Sequence, residues 1–176
     1  MEVFDPNPWR QQLAQAVNCL PGLFTQFTHL RWIAPGGNWI EDLHPQTCHQ
    51  VDQALAQLGF RRLQALTCKA MPGWVLRGFS HPDQDAWAVH YLGLLCGSQL
   101  DFCTEFVDGG WITTTTHAFA VSMSKHKRIR CIRGLSLNET WEHHCQAVRD
   151  RGVEPMVAGD GRELAESIWR YMGGSF

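Results

Sequence analysis

Apolar positions along the chain switch between two spacings. Trp9, Leu13, Ala16, Val17 and Leu20 recur at helical spacing, with Pro8 in the first turn and Pro21-Gly22 as a stop, which predicts a helix over 8–20. Phe27, Leu30 and Trp32 give a short strand within 24–33, and Pro35-Gly36-Gly37-Asn38 a loop. Cys48, Val51, Leu55 and Leu58 make the stripe of a second helix opened by His44-Pro45. Gly59 stands where a left-handed cap belongs, and a strand over 60–67 follows.

The spacing then shortens to that of strands, over 74–79, 86–92, 100–107 and 111–117, with a last strand at 128–132. Asp108-Gly109-Gly110 supplies a tight turn between two of them. Helical spacing returns twice. Ser136 and Glu139 have the capping-box spacing ahead of Trp141, Cys145 and Val148. Asp160 precedes Leu164, Ile168, Trp169 and Met172, and Gly173-Gly174 ends the pattern. Strands joined by short links pair antiparallel, so the order predicts a single α+β domain over residues 1–176. We expect one antiparallel sheet of five to six strands, built on a meander, with helices packed on one face.

Composition narrows the class. A chain of 176 residues with 44% hydrophobic and 18% charged residues can bury a core without staples. The formal net charge of -2 argues against nucleic acid as a partner. Seven cysteines, an odd number with no Cys-x-x-Cys pair, fit reduced, packed thiols and a cytoplasmic location. No stretch has the apolar length of a membrane span, and the first residues lack the pattern of a secretory signal.

The candidate chemistry lies in 98–117. If Gly93 sits opposite Ser98, and Val107 opposite Trp111, then His90, Asp101 and His117 form one row across three strands, with Cys103 beside them. A carboxylate between two imidazoles suits acid/base catalysis or, alternatively, a metal site. Cys103 gains a nucleophilic role if either histidine lowers its pKa. The plainer account is the wet side of a half-covered sheet. In that alignment Trp87, Val89 and Tyr91 belong to one core face with Leu100, Phe102 and Phe106.

Three other groups have plainer structural readings. His143 and His144, near Glu139, read as a solvated helix face. His44, Cys48 and His49 supply too few ligands for structural zinc. The basic run at 125–133 reads as a charged edge strand.

Leu58-Gly59-Phe60, Glu105-Phe106-Val107-Asp108-Gly109 and Thr113-Thr114-Thr115-Thr116 resemble a pattern in uncharacterised bacterial proteins, over roughly residues 45 to 145. The resemblance implies a shared α+β fold and no activity. Eight tryptophans spread along the chain, without a recognisable catalytic motif, favour a soluble binding or interaction domain for a protein partner or a small apolar ligand. The alternative is a metal- or acid/base-dependent enzyme using the His90, Asp101 and His117 row. Cofactor, ligand and oligomeric state are open at this level.

Overall fold

Local chemistry sets the ends of the two longest described helices. The computed structural model describes residues 30–33, 39–68, 74–93, 97–115, 127–131 and 135–171. The helix expected at 8–20, the loop at 35–38 and His117 lie outside the described residues. After β1 (Leu30–Ile33) come α1 (Trp39–Leu43) and α2 (Pro45–Gln57). Pro45 occupies the first turn of α2, where its missing N–H is no loss. Gly59, at φ 91°, donates its N–H to the Ala56 carbonyl at 3.0 Å, and Phe60 donates to Leu55 at 3.0 Å. This pair of bonds is the Schellman ending that a left-handed glycine permits.

Five strands follow as a meander: β2 (Arg61–Cys68), β3 (Trp74–His81), β4 (Ala86–Gly93), β5 (Gly97–Glu105) and β6 (Trp111–Thr115). β7 (Lys127–Cys131) stands at the end of the strand order. The five pairings from β1 to β6 are antiparallel, and β7 runs parallel to β6. At the β5–β6 turn Gly109, at φ 73°, donates to the Phe106 carbonyl at 2.8 Å. Ser136 caps α3 (Leu137–Arg151): its Oγ accepts from the Glu139 N–H at 3.3 Å, and its N–H donates to Glu139 Oε2 at 2.7 Å. α4 (Gly161–Tyr171) closes the order.

The α+β class with one sheet built on antiparallel strands is as expected. Among the described residues the sheet carries seven strands, where five to six were expected, because every strand segment of the pattern joins the same sheet. Its helices also cover both faces. On one side Leu55, Phe60, Phe79, Ala88, Leu100, Phe102 and Trp141 join α2 and α3 to the sheet, and Ile40, Cys48, Ala65, Val75 and Leu92 continue that layer under α1. On the other, Leu66, Leu76, Trp87, Val89, Cys103 and Trp111 pack against Ala158 and, from α4, Leu164, Ala165 and Ile168. β4 is therefore buried along nearly its whole length, with Tyr91 half-buried. A strand sandwiched between two layers loses the apolar–polar alternation that a half-wet sheet shows.

Candidate functional site

Register decides which side chains meet. Gly93 pairs with Gly97, one position short of the expected Ser98, so His90 lies opposite Leu100 and Val89 opposite Asp101. A shift of one residue reverses the face of a strand. His90 accordingly shares the α1–α3 face with Leu100, while Asp101 and Cys103 share the α4 face with Trp87 and Val89. The expected grouping of Trp87, Val89 and Tyr91 with Leu100 and Phe102 is reversed for the same reason. Across the β5–β6 turn Glu105, not Val107, pairs with Trp111, which sets Asp101 opposite Thr115 and Cys103 opposite Thr113. The expected row of His90, Asp101 and His117 does not form, because His90 and Asp101 point to opposite layers. The metal set built on it is not assembled either. Among the described residues no group of three or more His, Cys, Asp and Glu could hold a metal ion.

On the α1–α3 face His90 belongs to a buried charge network. Arg77 is completely buried and donates through Nη2 to Asp52 Oδ1 at 2.6 Å and Oδ2 at 2.7 Å, and through Nε to Glu41 Oε2 at 3.1 Å. Arg62 reaches the same two carboxylates from outside, at 2.5 Å from Glu41 and 3.4 Å from Asp52. Arg77 Nη1 lies 3.0 Å from His90 Nδ1. A guanidinium only donates, so Nδ1 accepts and the ring proton sits on Nε2. Nε2 then donates to Ser98 Oγ at 2.6 Å. Burial, and next the Arg77 charge, hold His90 down to about 4, so it is neutral at physiological pH. With its proton already on Nε2, His90 cannot take one from Ser98, and the pair is no activated nucleophile.

His144 is also internal. Thr104 Oγ1 lies 3.0 Å from its Nε2, Thr114 Oγ1 lies 2.9 Å from its Nδ1, and its ring stacks on Trp141 at 5.5 Å. The expected solvated helix face holds for His143, which is exposed, and fails for His144 because Thr104 and Thr114 offer it partners from the sheet. Glu41 Oε1 and His44 Nε2 are buried without hydrogen-bond partners among the described residues, both on half-exposed residues at the rim of this layer.

The α4 face is arranged differently. Cys103 is buried, its thiol pushed far up by burial and then by the neighbouring Asp101, with Thr113 Oγ1 3.8 Å away. A thiol held protonated is a packing group, so the nucleophilic role considered for Cys103 loses its basis. Glu105 is buried and accepts a hydrogen bond from Ser167 of α4. Asp101 is only half-buried, yet burial raises its carboxyl to about 6 against the opposing pull of a hydrogen bond from Thr115. Partial exposure together with strong desolvation describes a recessed carboxyl. One step along the same face, Trp87 is 1% exposed, stacks on Trp111 at 6.3 Å, and its Nε1 has no hydrogen-bond partner among the described residues. Tyr91, half-buried, packs on the same cluster.

Sequence reasoning found Asp101 and missed Trp87, Tyr91 and Arg77 as polar participants. Arg77 had a visible signal: it is the single charge within the apolar run of β3 from Val75 to Phe79. No family model, curated protein or solved structure matches this chain.

Proposed function

We propose that this protein is a binding domain for a small molecule that seats on the α4 face of the sheet around Asp101. The observation that carries the proposal is the placement of a desolvated carboxyl and an unpartnered indole N–H on one face. Asp101 is a recessed carboxyl hydrogen-bonded to Thr115, and the buried Trp87 indole N–H has no acceptor among the described residues. Buried polar groups normally find partners, and a buried Trp N–H in particular. Apolar walls with a few convergent polar groups and a perturbed acid are the usual marks of a small-molecule site. Trp87, Val89 and Tyr91 supply such walls here.

The site is tested by fragment titration of the purified protein, read in the nitrogen–proton NMR spectrum. Trp87→Phe identifies the Trp87 indole resonance. Fragments that bind are expected to move that resonance and the Asp101 amide first. Binding that leaves both unmoved would place the function elsewhere.

A second function, acid/base catalysis, is favoured by one observation, the Asp101 carboxyl poised near 6. Asp101 would act there without His90. A cytoplasmic location accords with the free thiols of Cys48, Cys103 and Cys145. No helix among the described residues is long and apolar enough to cross a membrane. The likeness to uncharacterised bacterial proteins adds a shared fold and no activity.

A further inference from the structure

We infer that α4 is a hinged lid over the face of the sheet that holds Trp87 and Asp101, and that a ligand reaches the Trp87 indole only when the helix swings away. The inference rests on the site proposed above and adds how that site opens. Three features of the structure support it. First, the indole is sealed from this side. Trp87 is 1% exposed, and its cluster is completed by Ala158 and, from α4, Leu164, Ala165 and Ile168. A group covered to that degree offers no surface to a ligand until the covering element moves. Second, the chain ahead of α4 is pinned and then released. The Glu154 carbonyl accepts from the Val107 N–H at 3.1 Å, Met156 donates to the Glu105 carbonyl at 2.8 Å, and Pro155 bridges Phe106, so 154–156 lie as a strap along the end of β5. Val157 follows, 76% exposed, and then Ala158 and Gly159, the last with the widest backbone freedom. α4 itself starts with a reciprocal cap: Asp160 Oδ1 accepts from the Glu163 N–H at 3.1 Å, and Glu163 Oε2 accepts from the Asp160 N–H at 2.8 Å. A pinned strap, a joint at 157–159 and a capped helix form a hinge. Third, the closed position is held by side chains that part without breaking the sheet. Leu164 fills the notch left by Gly78, where a Cβ would lie 2.3 Å from its Cδ2, and Ser167 Oγ donates to the Glu105 carboxyl. Separating them leaves the strand ladder intact, so α4 opens at a local cost.

The test uses the full chain and two readouts. In native-state hydrogen exchange the amides of Leu164, Ala165 and Ile168 are expected to open at least about tenfold more often than those of β4, and their exchange to stay insensitive to dilute urea, the mark of a local opening. The second readout is the association rate of acetophenone, an aromatic ketone whose carbonyl can accept the Trp87 N–H, taken from the line shape of the Trp87 indole resonance. Access through an opening helix makes that rate proportional to the open fraction. Ser167→Ala is therefore expected to raise both the α4 exchange and the association rate roughly tenfold, the scale of one buried hydrogen bond. Gly78→Ala, which pushes Leu164 out of its notch, is expected to act in the same direction. The exchange pattern of the unaltered protein decides the matter if either variant folds poorly. If the α4 amides exchange with β4 and share its urea dependence, or if Ser167→Ala leaves the association rate unmoved, α4 is no lid, and the site stands as long as acetophenone moves the Trp87 indole. If α4 opens early and acetophenone moves neither the Trp87 indole nor the Asp101 amide, the site falls and the lid's role with it.

Discussion

The two faces of this sheet treat their innermost polar groups differently. On the α1–α3 face the fully buried ones are held in networks: Arg77 binds Asp52, Glu41 and His90, and His144 lies between Thr104 and Thr114, while Glu41 Oε1 and His44 Nε2 at the rim find no partner among the described residues. On the α4 face Ser167 holds Glu105, but Asp101 is a desolvated carboxyl and the Trp87 indole N–H has no partner among the described residues. A network that satisfies its members fixes helices onto strands. A face that leaves a desolvated carboxyl half-open gives up stability, and such a loss is common where a ligand completes the site.

The contrast has a pH signature. Asp101 has a folded value of about 6, above the ordinary 3.8. Between those values the folded state keeps a proton that the unfolded chain has released, so stability falls as pH rises through the window. His90 behaves inversely. Its folded value of about 4 lies below 6.5, so the unfolded chain takes up a proton that the folded state refuses, and stability falls as pH drops through that window. The two slopes oppose each other between about pH 4 and 6 in the native protein, and single substitutions separate them.

Breaking the closed face has the largest expected effect. Arg77→Met strands Asp52 and Glu41 against the sheet, and urea unfolding at pH 7 is expected to show a loss of about 3 kcal/mol, the low end for a broken buried pair because both partners keep some exposure. His90 is expected to titrate higher in that variant. A loss within a few tenths of a kcal/mol would mean that the network does not hold α1 and α2. Relieving the open face comes next and has the opposite sign. Asp101→Asn is expected to stabilise the protein by about 2 kcal/mol above pH 7 and by nothing near pH 3, where both carboxyl states are protonated. Matching thermal melts of the two proteins at pH 7.5 would remove the basis for a strained carboxyl.

Two smaller substitutions ask whether helix ends help close the first face. A Cβ on Gly59 would lie 2.9 Å from His81 Nε2, at a φ that side chains resist, so Gly59→Ala is expected to lose about 1.5 kcal/mol by denaturant titration. Ser136→Ala removes the hydroxyl half of the α3 capping box and is expected to lose about 1 kcal/mol. Neither is expected to shift the Asp101 titration. A shift in either would mean that the two faces are coupled.

Local signals were legible in the sequence. The capping box of Ser136 and Glu139, the left-handed Gly59 and the Asp108–Gly110 turn depend on neighbours a few positions away, and all three are in place. The Leu164 and Ile168 stripe also packs as its spacing implies. Register was not legible. The β4–β5 connection admits pairings that differ by one residue, and that residue separates His90 from Asp101. The second covered face was hidden for a related reason: apolar residues such as Trp87, Ala88 and Val89 occupy successive positions of β4, so alternation could not tell one layer from two. Arg77 and His144 were missed because their partners, Asp52 and Glu41, and Thr104 and Thr114, come from distant stretches of chain.

The most direct measurement is the titration of the Asp101 carboxyl by carbon-detected NMR, in the free protein and with a bound fragment. A midpoint near 6 in the free protein, displaced as the fragment is added, is the predicted result. A midpoint at the ordinary 3.8, unmoved by the fragment, would contradict both the recessed carboxyl and the site built on it.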